Sequence, residues 1–456
     1  MKATHSSIYY PKKYTHEIGD SMKVEVQIDA NPLGLSLETM YEMAARINKK
    51  RSFLFVSKVL GKHIPLRPHV PLLASALLAA CYYEEKTATQ VAGKGVLVDA
   101  LMDTSEGKLK KAYSIVQSWH FGLGEPGVFI GFAETATALG HGVFDCFSDA
   151  VYIHSTREVL VDQEVTLFFE EEHSHATDQR CYVPEQYLAN EHTICLVDDE
   201  ITTGKTALNI IESIQKHFPR KNYVVLSLLD WRSEEDCRKL KVFEQTHGVS
   251  IQTFSLLSGT IQVEGIPDLP SATKIEVPAE KVNYHTINLS SFPAPFENKS
   301  YVSVDALGIL NNAPYSPLTG RFGLTSAANE RVENYCEQIG SHLQTLRKGK
   351  NTLCLGTGEF MHIPMKVAVY MGESVSFHST TRSPIFPMDQ EGYPIRSCFS
   401  FESPENLAIM NYAYNITEKE YDEVFLLFER HIEAGRLEPM LQQFSRIPVI
   451  HIVFFS

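Results

Sequence analysis

Two adjacent carboxylates, Asp198 and Asp199, stand where a run of four apolar residues, Ile194, Cys195, Leu196 and Val197, comes to an end. Such a run fits a parallel strand buried on both faces, so the acids sit at a strand end. Unpaired carboxylates beside a buried strand are costly unless something binds them. Glu200 and Ile201 follow, then Thr202, Thr203, Gly204, Lys205 and Thr206, after which Ala207, Ile210, Ile211 and Ile214 share one stripe of a helix. A turn of hydroxyl residues and glycine that opens a helix aims backbone N–H groups and the positive end of the helix dipole at one point, which suits a phosphate. Residues 204–206 also match the end of the nucleotide P-loop, G-x-x-x-x-G-K-[ST], but its first glycine falls at position 199, which is Asp. Two carboxylates there repel a triphosphate, whereas they can accept hydrogen bonds from the vicinal hydroxyls of a ribose. An ordinary strand-to-helix loop is the bland alternative, and the tandem acids argue against it.

A second strand, turn and helix spans residues 127–150. Val128, Phe129 and Ile130 form the strand, the turn runs from Gly131 to Thr135, and residues 136–147 are small and apolar enough for a packed helix. This turn, too, points amides outward, although a plain Rossmann-like turn would look the same. The next strand, residues 151–155, leads to Arg157, whose fork offers two parallel donors to a phosphate or carboxylate. Beyond it, Glu172, His173, Ser174 and His175 form an acidic H-x-H stretch, which alone is a weak metal signal. Upstream, Lys58, Lys62 and His63 could reach an anion or simply face solvent.

The apolar strand, two acids and T-x-G-x-T resemble the phosphoribosyl pyrophosphate (PRPP) signature of type I phosphoribosyltransferases. That resemblance implies an α/β fold with a Rossmann-like parallel sheet. It also implies that Asp198 and Asp199 hold the ribose 2- and 3-hydroxyls, and that Thr202, Thr203, Gly204, Lys205 and Thr206 hold the 5-phosphate. The loop on the preceding strand, Gly131, Ala133, Glu134, Thr135 and Ala136, would bind pyrophosphate through its main chain, with Arg157 assisting. Glu134 departs from the smaller or more basic residues of many such loops and is a candidate for holding Mg2+ or the incoming substrate. Mg2+ is the implied cofactor, carried mainly by PRPP, with Asp198 and Asp199 as candidate protein ligands. Residues 172–175 lie where these enzymes place a flexible lid that closes over PRPP and excludes water from the reacting centre.

With 456 residues, two domains or three are expected. The 44% hydrophobic and 21% charged composition is that of an ordinary globular protein, and no apolar run resembles a membrane span. The first twenty residues are polar, unlike a signal peptide, and are expected to be loosely ordered. The expected compartment is the cytoplasm. A net charge of -14 opposes nucleic-acid and anionic-membrane binding and favours small-molecule partners. Eight scattered cysteines without a C-x-x-C pair read as reduced thiols.

Along the chain, residues 24–28 alternate like a strand, residues 37–47 carry a helical pattern, and residues 53–59 are a second strand. Residues 70–83 are an apolar core helix. Residues 252–254 and 260–263 are candidate edge strands. Prolines 267, 270, 278, 293 and 295 mark a linker or irregular extension, followed by an amphipathic helix over residues 329–346. The expected organisation is a phosphoribosyltransferase domain at 1–264, a connection at 265–325 and a second α/β domain at 326–456.

The second part echoes the first. Gly131 and Gly356, Glu134 and Glu359, and Arg157 and Arg382 are each 225 positions apart, which suggests a degenerate repeat. Residues 424–429 form a worn echo of the carboxylate strand without the tandem acids, so this part is not expected to bind PRPP in the same way. Gly356, Glu359, His378 and Arg382 are a candidate site of the second domain, with Glu359, His378 and Arg382 facing a shared or second ligand site and stabilisation of strand ends as the equal alternative. Thr381-Arg382-Ser383-Pro384 spells the tetrapeptide that names the TRSP domain. With N-P-L-G at 31–34, V-L-G-K-H-I-P at 59–65, E-H-S-H-A-T at 172–177 and L-G-T-G-E-F at 355–360, the chain resembles the phosphoribosyltransferases encoded with bacterial tellurium-resistance and stress-response genes. The resemblance implies transfer of phosphoribosyl from PRPP to an unidentified, base-like acceptor in the synthesis of a nucleoside-like metabolite. A homodimer and operon-encoded pathway partners are further expectations. The alternative is a PRPP-binding regulator without chemistry, which would need a partner-binding surface that this acidic chain does not display.

Overall fold

The computed structural model describes residues 12–19, 21–47, 52–170, 178–269 and 282–456. Its first sheet has eight strands in the order Lys12–Ile18, Met22–Ala30, Ser250–Gly265, Asn222–Asp230, Ile194–Ile201, Gly127–Gly131, Ala150–His154 and Leu324–Thr325. The strands from Ser250–Gly265 to Ala150–His154 are mutually parallel. Apolar residues on both faces suit a sheet covered on both sides, and Ile194, Cys195, Leu196 and Val197 are all fully buried.

A second sheet takes the order His285–Ile287, Val449–Phe454, Glu423–Phe428, Thr352–Gly356 and Val375–Ser379, and it is parallel throughout. It repeats the parallel core of the first. Helix Ala136–Phe144 corresponds to His362–Val369, and Lys205–His217 to Ala434–Gln443. The hairpin of Leu167–Glu170 with Asp178–Cys181 corresponds to that of Cys398–Glu402 with Met410–Tyr414. Ile194 pairs with Val128, and Val424 pairs with Leu353, which lies 225 positions beyond Val128. By this register Glu429 takes the place of Asp199.

The two halves exchange their leading segments. Leu66, just before helix His69–Thr87, bridges antiparallel to Phe377 of the second half. Leu324, just before helix Ser326–Leu346, pairs antiparallel with Tyr152 of the first. Phe377 and Tyr152 are again 225 apart. Each crossing needs a glycine: a Cβ on Gly61 would lie 2.7 Å from the Phe377 ring, and one on Gly320 would lie 2.5 Å from the Tyr152 ring. The largest hydrophobic cluster accordingly runs through both halves, joining Leu73, Phe144 and Tyr152 to Ile339, Phe360 and Phe377. The halves share one core, so burial rather than a flexible linker sets their geometry.

Several local expectations change. The helical pattern at 37–47 forms one turn, Leu37–Met40, and then the strand Tyr41–Ala45, which pairs with Phe53–Ser57. Tyr41, Met43 and Ala45 alternate with period two, and this alternation wins because the hairpin packs Tyr41 and Phe55 against Trp231. The two edge strands expected between 252 and 263 are one strand, Ser250–Gly265, which is internal because Met22–Ala30 covers its far side. Gly259 permits that approach, since a Cβ there would sit 2.1 Å from the Gln27 carbonyl oxygen. Lys12–Ile18, within the stretch expected to be loosely ordered, is the outer strand of the sheet. The Pro-rich connection contributes His285–Ile287 to the second sheet and Leu324–Thr325 to the first. All eight cysteines are unbridged and five of them are buried. No described helix is long and apolar enough to cross a membrane.

Candidate active site

Parallel strands end together, so loops from neighbouring strands meet at the carboxyl edge of the sheet. Here they enclose a cavity of about 450 Å³. Asp198, Asp199 and Glu200 line it, half-buried at the end of their strand. The Asp199 N–H donates to Asp198 Oδ1 at 3.0 Å. Burial, with Glu200 next to it, raises the Asp199 pKa, and Lys62 opposes the rise. Thr202, Thr203, Gly204, Lys205 and Thr206 line the adjoining wall, where helix Lys205–His217 begins. Gly204 has φ of +78°, a conformation that favours glycine. The Lys205 N–H donates to Thr203 Oγ1 at 3.3 Å.

The neighbouring loop supplies Ala133, Glu134 and Thr135 to the cavity, together with Phe132. Gly131 and Ala136 stand behind it, at the strand end and the helix start. A Cβ on Gly131 would meet the Ala136 carbonyl oxygen at 2.5 Å and the Tyr152 hydroxyl at 2.7 Å, so the strand can turn there only as glycine. A buried network pins the loop. The Ala133 N–H donates to Ser155 Oγ at 2.9 Å, Gln179 Nε2 donates to the Ala133 oxygen at 2.7 Å, and Ser155 Oγ donates to Gln179 Oε1 at 2.6 Å. Glu134 is 4% exposed, and its Oε1 finds no hydrogen-bond partner among the described residues. Its Oε2 lies 3.6 Å from Arg157 Nη1 and 3.9 Å from Arg382 Nε.

Arg382 thus reaches the cavity from the second half, joined by Ser383, Pro384, Met410 and Tyr412. The sequence grouped Arg382 with Gly356, Glu359 and His378, and the structure does not bring these four together. His378 Nε2 accepts the Tyr414 N–H at 3.1 Å, so Nδ1 carries the proton and donates to the Gly61 oxygen at 3.1 Å. With both nitrogens committed to backbone, and burial lowering its pKa to about 4, His378 is a structural residue. Gly356 repeats the close approach of Gly131, since a Cβ there would lie 2.6 Å from the Phe360 oxygen. Glu359 accepts from Arg321 Nη1 at 2.8 Å and from the Arg157 N–H at 2.8 Å.

Of the three upstream basic residues, Lys62 and His63 line the cavity, whereas Lys58 pairs with Glu42 at 2.9 Å. Lys62 Nζ donates to Thr135 Oγ1. His63 is buried, and its two ring nitrogens have no partner among the described residues. Burial holds its pKa well below the usual histidine range, with Lys62, Arg46 and His378 adding to the effect. Arg46, Leu54 and Phe55 of the hairpin complete the cavity and carried no sequence motif. The lid candidates Glu172, His173, Ser174 and His175 lie outside the described residues. The carboxylates of Asp198, Asp199 and Glu200 and the open oxygen of Glu134 are hard donors of the kind Mg2+ takes. A different trio, His141, Asp145 and His362, also gathers ligand atoms within 4.8 Å of one another. There, however, Lys366 Nζ already lies 2.9 Å from Asp145 Oδ2, so an ammonium supplies the positive charge.

At the corresponding edge of the second sheet the residues pair with one another, although Arg321 Nε and Glu429 Oε1 have no hydrogen-bond partner among the described residues. Arg321, 1% exposed, donates to Thr156 Oγ1 at 2.5 Å, to Glu359 Oε2 and to Glu429 Oε2 at 3.0 Å. Burial, together with Glu158 and Glu429, pushes the Glu405 carboxyl up to about 8. An acid with a raised folded pKa binds its proton more tightly when folded, so stability falls as pH rises through that value. The Glu405→Gln variant is therefore expected to gain roughly 2 kcal/mol on the wild type between pH 6 and pH 9. Urea unfolding at the two pH values checks this, and parallel profiles for the two proteins would contradict it.

Tandem acids at a strand end, a helix-opening turn and a second turn on the neighbouring strand thus meet at one edge of a parallel α/β sheet. Residues 40–260 match the phosphoribosyl transferase family, and residues 318–444 match the TRSP domain found C-terminal to that transferase. The chain belongs to this two-domain phosphoribosyl transferase family. Solved structures similar to it include adenine phosphoribosyltransferase from Rhodothermus marinus, at 13% identity and a TM-score of 0.29, covering 49% of this chain and 96% of that one. Adenine phosphoribosyltransferase from Trypanosoma brucei, in complex with AMP, pyrophosphate and ribose-5-phosphate, has 10% identity and a TM-score of 0.30, covering 51% and 83%. Orotate phosphoribosyltransferase from Aeropyrum pernix has 14% identity and a TM-score of 0.19, covering 34% and 77%. No curated protein matches the sequence.

Proposed function

We propose that the protein transfers the 5-phosphoribosyl group of PRPP to a base-like acceptor and releases pyrophosphate. The observation that carries this reading is that Asp198 and Asp199, the 202–206 turn and the Glu134 loop all line one cavity. In the reaction an acceptor nitrogen forms a bond to ribose C1 with its lone pair. The bond from C1 to the pyrophosphate oxygen breaks with its electrons, and the acceptor nitrogen gives up a proton. Chemistry of this kind depends on positioning and on charge stabilisation of the leaving group.

In this scheme Asp198 and Asp199 accept hydrogen bonds from the ribose hydroxyls and fix the sugar. The amides and hydroxyls of Thr202, Thr203, Gly204, Lys205 and Thr206 hold the 5-phosphate at the helix start. The main chain of 133–136 faces the pyrophosphate, and Arg157 and Lys62 balance its charge. Mg2+, bound with PRPP, would neutralise the leaving group, and Asp198, Asp199 and Glu134 are the residues that would hold it. A role in making a nucleoside-like metabolite in a bacterial stress response, in the cytoplasm, is the wider form of the same proposal and rests on resemblance. Calorimetric titration of PRPP with Mg2+ is expected to give saturable binding. Absence of binding at millimolar PRPP would overturn the reading, and tight binding without pyrophosphate release from any acceptor would recast the protein as a PRPP-binding regulator.

A further inference from the structure

The second half has no tandem acids, and its own carboxyl edge is filled by Arg321 and its carboxylate partners. Yet it is built into the first half at matched points. Arg157, from the first half, donates its backbone N–H to Glu359 of the second. Arg382, 225 positions on, points its guanidinium toward Glu134 of the first. The bridge between Thr156 and Arg180 is matched by one between Thr381 and Tyr412. Each half therefore presents the end of its Ala150–His154 or Val375–Ser379 strand to the other half's glycine-led loop. On one side this contact is closed by ion pairs. On the other it opens into the cavity.

Basic side chains from both halves meet at the open contact. Arg157 and Arg382 converge on the single carboxylate of Glu134, and Lys62 touches the next residue. Side chains that carry positive charge, gathered at the loop whose main chain is proposed to face pyrophosphate, suit a polyanion. Arg382 sits largely buried where the cavity meets the loop, and the second oxygen of Glu134 has no partner among the described residues. We propose that the C-terminal half acts as a built-in partner subunit whose Arg382 binds the pyrophosphate group of PRPP. The proposal rests on the reading of the cavity as a PRPP site. A planar fork matches two phosphate oxygens at once, which a lysine ammonium at the same place cannot do.

Three probes separate the contributions: PRPP with Mg2+, pyrophosphate with Mg2+, and ribose 5-phosphate, which lacks the leaving group. Each is titrated calorimetrically into the full-length wild type, Arg382→Ala and Arg382→Lys, with thermal melting to show that the variants are folded. The expected result is at least a tenfold weakening of PRPP and pyrophosphate binding in Arg382→Ala and a smaller loss in Arg382→Lys, with ribose 5-phosphate bound as by the wild type. Unchanged PRPP and pyrophosphate affinity in Arg382→Ala, beside a wild type that binds both, would overturn the assignment of Arg382 alone. Equal weakening of all three probes would also overturn it, since that is what a merely structural role produces. Failure of the wild type to bind PRPP would instead remove the underlying reading of the cavity.

Discussion

Replacing Asp198 and Asp199 together by asparagine is expected to weaken PRPP binding at least a hundredfold and to abolish PRPP-dependent turnover, while the fold survives. Each carboxylate offers two oxygens and a charge to a ribose hydroxyl, whereas an amide offers one oxygen and turns a donor toward the sugar. Hydrogen bonds to charged groups contribute about 1.5–3 kcal/mol each, so losing two suffices for that factor. The fold should tolerate the change, because Asn has nearly the same shape and the raised Asp199 pKa marks burial and crowding by Glu200. Removing like charges from one strand end relieves repulsion rather than creating a cavity. Calorimetry with PRPP and Mg2+, paired with thermal melting, reads both parts. Wild-type affinity in the double variant would sink the assignment of the acids, and a collapsed melting temperature would show that they hold the fold.

The Arg321→Met variant is expected to lose about 3–5 kcal/mol of stability, the usual cost of stranding a buried charge by deleting its partner. Arg321 stands between Thr156 of the first half and Glu359 and Glu429 of the second. Without it two buried carboxylates lose their cation. Burial raises the Glu359 pKa, but Arg321 and His154 more than offset this, so the net shift is downward. An acid with a depressed folded pKa adds stability above its unfolded value, and that stability is lost as pH falls through the folded value. The penalty of the variant should therefore shrink in acid, as the stability that Arg321 gives the Glu359 carboxylate is lost. Urea unfolding at pH 7 and pH 4 measures both effects, and a variant as stable as the wild type at pH 7 would show that the network does not hold the halves together. Arg321→Lys should fall between the two, since one ammonium cannot reach all three oxygen partners with the geometry of a fork.

What could be read from the sequence follows from how local each signal is. Ile194 to Gly204 carry a strand, two acids and a helix-opening turn within eleven consecutive residues, so composition and order were enough to place them on one loop. Gly131 and Glu134 were legible for the same reason. Arg46, Phe55 and Tyr412 were not, because one hairpin supplies the first two and a distant hairpin of the second half the third, and they meet only after the sheets have packed. His63 was visible as one of three basic residues, but nothing in G-K-H separates a buried imidazole from Lys58, which pairs with Glu42 away from the cavity. The constant spacing of 225 exposed the repeat, yet it left open whether Glu359, His378 and Arg382 face a shared or a second site. The exchange of leading segments, which takes Arg382 to the first cavity and leaves His378 bound to Gly61, depends on Leu66 and Leu324 pairing with strands of the opposite half. At 37–47 two periodicities overlap, and only the partner strand Phe53–Ser57 decides between them.

A protein that pairs with an identical copy of itself must carry every substitution twice, once on each side of the axis. The exchanged segments around Gly61 and Gly320 make the same kind of pairing within a single chain, and that removes the constraint. One side can keep Asp198 and Asp199 while the other places Phe428 and Glu429 at the matching strand end, and neither change is imposed on its counterpart. Symmetry is thereby exchanged for division of labour: one half keeps the tandem acids, and the other is free to be reshaped as the wall that faces them across the cavity.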